Sequence, residues 1–143
     1  MLMQRVLRYL DKNKVEYRAF REESMADFIV ETKGLVWECA LKALEKRKAL
    51  VVHSILLESV PEQRFSEMAL FLASLNQSMV FGNFELDTRS GEVRFKTYLD
   101  GQTSEITTAA IERNLVLHVK TMKKNLPKIQ SILSKAQPIR ARA

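Results

Sequence analysis

Residues 76–99 carry the pattern that most limits how this chain can fold. After Asn76, apolar and polar residues alternate over residues 80–87, a turn ends at Gly91, and a second alternating run covers residues 92–99. Such alternation places successive side chains on opposite faces of a strand, and a Gly-containing turn between two runs is typical of a hairpin. Because the residues before Asn76 recur at helical spacing, this region predicts a β-hairpin packed against a helix.

The second face of this hairpin carries charges of both signs. Glu85 and Asp87 share a strand face and in principle form an acid–base pair, but the neighbouring Arg94 and Lys96 favour cross-strand ion pairs. The face is also a candidate partner-contact surface, formed by Asn83, Glu85, Arg94 and Lys96.

The first half of the chain predicts a helix followed by three strands. Helical spacing of apolar residues over residues 3–10 predicts an opening helix, and the charged residues 14–24 fit either an edge strand or a connection. Residues 28–32 and 35–41 form a hairpin across a Lys-Gly turn. The nearly continuous apolar run at residues 49–57 predicts a central strand with both faces at least partly covered.

Two further helices are predicted from capping signals. Ser59 and Glu62 have the spacing of a capping box at the start of the helix that precedes the 76–99 hairpin. Residues 103–104 offer an N-cap for a long helix that ends near residue 125. Pro127 then restarts a short helix.

These elements predict an α+β fold. The order α-βββ-α-ββ-α gives an antiparallel five-stranded sheet with helices packed on it. With 143 residues, four Gly and three Pro, the chain suits one domain, which we predict to cover residues 1–136. Residues 137–143 lack a core pattern and predict a flexible basic tail.

Several short motifs resemble the YbjN family of bacterial proteins, whose fold resembles the small chaperones of type III secretion systems. The resemblance covers roughly residues 4–135 and implies that chaperone-like fold, a bacterial cytoplasmic protein and a regulatory or partner-binding role. It brings no catalytic or ligand-binding signature. The matching residues are Trp37 in a strand, Val60-Pro61-Glu62 at a helix start, Asn76 near that helix's end, Gly82-Asn83-Phe84-Glu85-Leu86-Asp87, and Gly91-Glu92-Val93-Arg94-Phe95.

The net charge of +6 is unevenly distributed. All 17 acidic residues lie at or before Glu112, so the basic character belongs to the last part of the chain. This segment is either a solvated helix face or an electrostatic dock for an acidic protein segment, nucleic acid or an anionic membrane. The absence of accompanying aromatic residues disfavours nucleic acid, and the absence of bulky interfacial anchors disfavours a membrane. The candidate basic patch consists of Arg113, Lys120, Lys123, Lys124 and Lys128.

The chain offers little for catalysis or metal binding. Cys39 is the one cysteine and is expected to be a small buried residue, and His53 and His118 have no zinc-type spacing. No nucleophile elbow or phosphate loop appears, so we predict neither an enzyme nor a cofactor. No signal-peptide pattern or membrane-length apolar run appears, and cytoplasmic localisation is expected.

Two functions follow from the sequence. The first is a non-enzymatic, chaperone-like protein-binding module, expected as a homodimer, that accepts an extended partner segment by strand addition. Its candidate contact surfaces are the outer face of the hairpin and the first helix. The alternative is an accessory nucleic-acid-binding regulator that uses residues 113–142.

Overall fold

The computed structural model describes residues 1–134, which form one sheet and three helices. Two short 3-10 turns, Arg21–Glu23 and Glu62–Arg64, lie between these elements. In chain order the elements are α1 (Leu2–Lys12), β1 (Arg18–Phe20), β2 (Met25–Thr32), β3 (Leu35–Leu44), β4 (Ala49–Ile55), α2 (Phe65–Gln77), β5 (Asn83–Asp87), β6 (Glu92–Asp100) and α3 (Thr108–Leu133).

The sheet has six antiparallel strands in the order β1-β2-β3-β4-β6-β5, so the expected five-stranded sheet was wrong by one strand. The additional strand is β1, which lies within the charged segment 14–24. It is only three residues long, too short for an alternating pattern to show. Its Arg18 donates two hydrogen bonds of 2.8 Å to the carboxylate of Asp27 on β2, which fixes the pairing.

The three helices pack on one face of this sheet, and the predicted α+β class is confirmed. Trp37, Cys39 and Leu41 point inward from β3 and are fully buried, and the burial expected for Cys39 is confirmed. The central position of β4, between β3 and β6, also agrees with its apolar sequence. No helix of the described part covers the opposite face of the sheet, where Ile29 and Tyr98 are exposed.

The helix starts differ from those predicted. The helix after Ser59 begins at Phe65, behind the Glu62–Arg64 turn, and no capping side chain is recorded at its start. The long C-terminal helix α3 is capped by Thr107, whose hydroxyl accepts from the N–H of Ala110 at 3.1 Å, instead of by residues 103–104. Sequence spacing fits several Ser and Thr positions, and packing selects among them.

Helix α3 continues through Pro127 to Leu133, so the predicted break near residue 125 was wrong. Proline removes one backbone hydrogen bond and normally disfavours a helix interior by about 3 kcal/mol. Here Leu126 and Ile129, on either side of the proline, are buried in the core and hold both halves of the helix against the sheet. Pro127 itself is exposed to solvent.

The first strand of the C-terminal hairpin also begins later than predicted, at Asn83. Val80, expected in the strand, is fully exposed. Gly82 turns the chain into β5 with φ +75°, and a Cβ there would lie 2.8 Å from the carbonyl oxygen of Lys96. This close backbone approach explains why glycine stands there.

The remaining expectations concern the chain end and membranes. The flexible tail predicted for residues 137–143, and the end of the predicted domain at residue 136, lie outside the described residues. Within residues 1–134, no helix combines the length and apolar character needed to span a bilayer.

Candidate partner-binding surface

The predicted contact residues of the C-terminal hairpin lie together on the open face of the sheet. We call Asn83, Glu85, Arg94 and Lys96 the hairpin face. Glu85 is opposite Arg94 in the register and Asn83 is opposite Lys96. Lys96 Nζ lies 2.8 Å from Glu85 Oε2, while Arg94 bonds Asp87 at 3.1 Å and Glu92 at 2.7 Å.

These ion pairs neutralise the hairpin face. The backbone N–H of Arg89, followed by its side chain, lowers the pKa of Asp87, which suits a structural carboxylate. His53 Nε2, on β4, lies 3.9 Å from Glu85 Oε1. Burial lowers the pKa of His53, which disfavours the charged imidazole that an ion pair with Glu85 would need. The acid–base pair considered for Glu85 and Asp87 is therefore a salt-bridged surface, and a partner contact there stays a prediction.

The predicted basic patch occupies the exposed side of α3. At 100° per residue, Arg113, Lys120 and Lys124 fall within about 40° of one another, with Lys123 and Lys128 flanking them. All five side chains are exposed. None of the five belongs to an ion pair among the described residues, so the protein's own carboxylates leave this patch uncompensated.

An apolar groove of about 580 Å³ runs beside this patch, between α1 and α3. We call it the α1–α3 groove. Phe28 of β2 contributes to its wall, and Lys120 and Lys123 of the basic patch stand at its α3 side. The remaining lining residues are Tyr9, Leu10, Asn13, Val15, Leu115, Val116 and Val119.

Part of the outer edge of strand β2 has no neighbouring strand, on the side of the molecule that contains the α1–α3 groove. The short β1 pairs only with residues 25–27 of β2, and residues 28–32 have no strand on their outer side. We call residues 28–32 the open edge.

The hairpin turn identifies which groups the open edge presents. Lys33 and Gly34 both have positive φ, as the two central residues of a type I′ turn do. In such a hairpin the flanking residues Thr32 and Leu35 exchange both of their N–H and C=O hydrogen bonds. Bonding alternates along an antiparallel strand, so Ile29 and Glu31 direct their N–H and C=O groups outward. These four groups have no hydrogen-bond partner recorded within residues 1–134.

The other edge of the sheet is protected by a side chain. Asn76, at the end of α2, accepts a hydrogen bond from the N–H of Phe84 at 2.7 Å and donates to the carbonyl of Phe84 at 2.9 Å. The Asn76 amide therefore takes the place of a neighbouring strand for β5. Of the two edges, β2 is the more open to an incoming strand.

A buried polar network joins α3 to the centre of the sheet. His118 Nε2 lies 2.7 Å from Ser54 Oγ, and His118 Nδ1 lies 2.8 Å from Thr97 Oγ1. Thr97 donates its hydroxyl proton to Asn114 Oδ1 at 3.0 Å, so His118 Nδ1 must be the donor to Thr97 and Nε2 the acceptor from Ser54. The network holds neutral His118 in one tautomer.

This network contains residue types found in catalytic sites, but its environment suits packing. Burial lowers the pKa of His118 to about 3, with a smaller effect from His53, and burial raises the pKa of the Cys39 thiol to about 12. A thiol in that state is a poor nucleophile. The grooves found on residues 1–134 are lined by other residues. No group of three His, Cys, Asp or Glu side chains in that range is placed to hold a metal ion.

The open edge and the α1–α3 groove were not predicted as a site. The first helix was predicted as a contact surface, and α1 supplies Tyr9 and Asn13 to the groove. The pairing of β1 with only three residues of β2 depends on where the chain leaves the sheet, which segment 14–24 does not reveal. One available signal was the Lys33-Gly34 turn, because its length sets the register of β2.

Comparison with known proteins identifies the family. The profile of the YbjN family, described as "Putative bacterial sensory transduction regulator", matches residues 3–131. No curated protein sequence that was compared matches the chain.

Solved structures share the fold. A chain of YbjN from E. coli superposes with a TM-score of 0.59 at 11% identity, covering 90% of this chain and 86% of that one. A chain of the HopA1–SchA chaperone–effector complex gives 0.55 at 16% identity, covering 86% and 92%. A chain of the Yersinia pestis type III secretion chaperone SycH, in complex with a stable fragment of YscM2, gives 0.53 at 12% identity, covering 87% and 98%.

At these identities the structural likeness shows the fold alone, and the predicted similarity to type III secretion chaperones is confirmed. The E. coli protein is described as "a putative transcription regulator", but at 11% identity this description does not extend nucleic-acid binding to the present chain. The nucleic-acid alternative receives no support from these comparisons.

Proposed function

We propose that this chain, which belongs to the YbjN family, is a non-enzymatic, chaperone-like module that holds an extended segment of a partner protein at its open edge. Structures with the same fold include chaperones in complex with effector proteins, which supports a protein-binding role. The role is regulatory in the sense that holding the segment withholds it from other partners. Action in the cytoplasm stays a prediction.

The observation that carries this proposal is the unpaired main chain of Ile29 and Glu31. A strand laid beside residues 28–32 would satisfy their two N–H and two C=O groups through main-chain hydrogen bonds. Main-chain pairing alone accepts many sequences, so affinity comes from the added strand and selectivity from the side chains next to it. At β5 the Asn76 amide already occupies the main-chain groups of Phe84, which leaves that edge less open than β2.

The experiment is affinity capture from the native host's lysate at physiological salt, with and without nuclease, using the wild type and two variants at Ile29. Ile29→Pro removes the outward N–H, whereas Ile29→Ala removes the side chain and keeps the main chain. Because the N–H of Ile29 does not bond β3, the proline variant should fold, which circular dichroism checks.

The proposal requires a near-stoichiometric protein that resists nuclease and whose recovery falls more with Ile29→Pro than with Ile29→Ala. Complete loss of captured material on nuclease treatment would replace this proposal by nucleic-acid binding through the basic patch. A nuclease-resistant partner that both variants retain equally would support protein binding but would show that the open edge is not the binding site.

The homodimer is also part of the proposed function, and α2 offers the surface for it. None of the fully exposed residues of α2 is charged, and Leu70 among them is 74% exposed. The one charged residue of the helix, Glu67, is partly exposed and pairs with Arg64 at 3.4 Å. A twofold interface brings the same patch of two copies together, so a charge near the axis would face itself. An uncharged face is compatible with such a contact. The exposed residues of this face are Ser66, Ala69, Leu70, Ala73, Ser74 and Gln77.

A further inference from the structure

We propose that the segment held at the open edge is acidic as well as apolar, with its carboxylates on the side that faces the helices. This inference rests on the proposed function and specifies its partner. Apolar side chains of the segment fill the α1–α3 groove, and carboxylates pair with Lys120 and Lys123.

The geometry follows from Phe28, which belongs both to the open edge and to the wall of the α1–α3 groove. Side chains alternate between the two faces of a strand, so every second residue of an added strand points to the same side of the sheet as Phe28. Those residues meet Tyr9, Val15 and Val116, which are apolar along most of their length. Val116 is 58% exposed, so the groove has apolar surface to bury.

The charges on the two sides of the open edge determine which face of the bound segment carries its acidic residues. On the helix side, Lys120 and Lys123 have no ion-pair partner among the described residues. On the opposite side, a second groove contains three carboxylates and one arginine, which is already paired. An acidic side chain is therefore attracted on the helix side and repelled on the other. The charged residues of the second groove are Glu16, Arg18, Asp27 and Glu38.

Three fluorescently labelled nonapeptides test which face of the segment carries the carboxylates. The first is Asp-Thr-Val-Thr-Leu-Thr-Val-Thr-Asp, whose palindromic order removes any dependence on strand direction. The second, Thr-Asp-Val-Thr-Leu-Thr-Val-Asp-Thr, has the same composition with the carboxylates moved to the other face. The third replaces both Asp residues of the first by Lys.

Binding is measured by fluorescence anisotropy with the full chain and two double variants. Lys120→Gln with Lys123→Gln removes the lysines of the groove, and Lys124→Gln with Lys128→Gln removes the same charge from the same helix outside it. Since exposed ion pairs contribute about 0.2–1 kcal/mol each, the loss of two pairs in the first double variant should weaken binding by about twofold to thirtyfold. The second should weaken it by less than about twofold.

Tighter binding of the first peptide than of the other two, lost on Lys120→Gln with Lys123→Gln and on Ile29→Pro, supports the inference. Equal binding of the first two peptides, or equal losses in both double variants, would overturn it as unspecific charge attraction. So would tighter binding of a duplex oligonucleotide that depends equally on all four lysines.

The captured partner separates this inference from the proposed function. If the captured partner requires the open edge but binds the two double variants equally, the inference that the segment is acidic is overturned. The proposed protein-binding function is then still supported. If no protein partner is captured and no peptide binds, both fail.

Discussion

The side chain of Asn76 acts as a substitute strand for β5. Its amide oxygen and nitrogen satisfy the N–H and C=O of Phe84, at 2.7 and 2.9 Å. The same residue is part of the motif by which the chain resembles its family, so a structural reason now exists for its presence. An unpaired strand edge is prone to pairing with other chains, and here one side chain covers the main-chain groups of the second residue of a five-residue strand.

We expect Asn76→Ala to lower the free energy of unfolding by about 1–3 kcal/mol, because both main-chain groups of the buried Phe84 lose their partners. Urea denaturation at pH 7 measures this effect. Gln77→Ala, at the exposed neighbouring amide of α2, is the matched control and should change stability by less than about 0.5 kcal/mol. Light scattering should also show more self-association for Asn76→Ala, and equal stability of the two variants would contradict the role given to Asn76.

His118 makes stability depend on pH. Its pKa in the folded protein is lowered to about 3 by burial, below the value of 6.5 that it has when exposed. The unfolded chain therefore binds a proton that the folded chain excludes. The stability is fully present above pH 6.5, and it is lost as the pH falls from 6.5 towards 3, by up to about 1.4 kcal/mol per pH unit.

The test is urea denaturation between pH 7.5 and pH 4 for the wild type, His118→Gln and His53→Gln. His118→Gln should be less stable at pH 7.5, since Ser54 and Thr97 lose their partner, and its stability should fall less steeply towards pH 4. His53→Gln, on the other face of the sheet, should keep most of the wild-type slope. Parallel slopes for the wild type and His118→Gln would show that another group titrates.

At the scale of elements, α3 contains a proline that its packing overrides. The N–H missing at Pro127 leaves the carbonyl four residues earlier, on Lys123, without its helical partner. Pro127 is exposed, while Leu126 and Ile129 are buried, so the cost falls on the solvent side of the helix.

Pro127→Ala should therefore raise the free energy of unfolding by about 1–3 kcal/mol. The gain is smaller than the full cost of a helical proline, because proline also stabilises the folded state by restricting the unfolded chain. Thermal and urea denaturation measure the gain. Gln130→Ala, also exposed on α3, controls for helix propensity alone and should change stability by no more than about 0.5 kcal/mol. A variant no more stable than the wild type would mean that the proline is not a cost at this position.

The elements differ in how much of them sequence could reveal. Strands β3 and β6 are long and alternate between apolar and polar residues, so spacing alone is enough to place Trp37 and Phe95 on the apolar face. Strand β1 cannot be predicted in this way because three residues show no period, and its contacts with β2 include the Arg18–Asp27 pair. The continuity of α3 depends on burial contributed by distant strands, which outweighs the local signal of Pro127.

The candidate site was predictable only in parts. The five cations of the basic patch were read from the charge distribution, because acidic residues stop at Glu112. Their position beside an apolar groove depends on α1 crossing α3 next to Phe28, a contact between residues more than 80 positions apart. The open edge needs the tertiary course of residues 14–24 as well. Neither relation is encoded in a local pattern.

At the scale of the whole molecule, the net charge of +6 limits how two copies can associate. Each copy carries the basic patch on α3, so an interface that brought two patches together would be opposed by repulsion. The exposed residues of α2, none of which is charged, avoid this cost. Its exposed Leu70, with Val80 just beyond the helix, provides the apolar surface that such a contact needs.

We therefore expect a homodimer that Leu70→Lys converts to a monomer, because the substitution places two like charges at or near the twofold axis. Sedimentation equilibrium should give twice the 16.5 kDa chain mass for the wild type and about the single chain mass for the variant. Val116→Lys is the matched control, since Val116 is a similarly exposed aliphatic residue on α3, and it should remain dimeric. A wild-type monomer at all concentrations would contradict the dimer itself. A dimer unaffected by Leu70→Lys but broken by Val116→Lys would move the interface to the α1–α3 groove, and the groove would then bind a second copy in place of a partner segment.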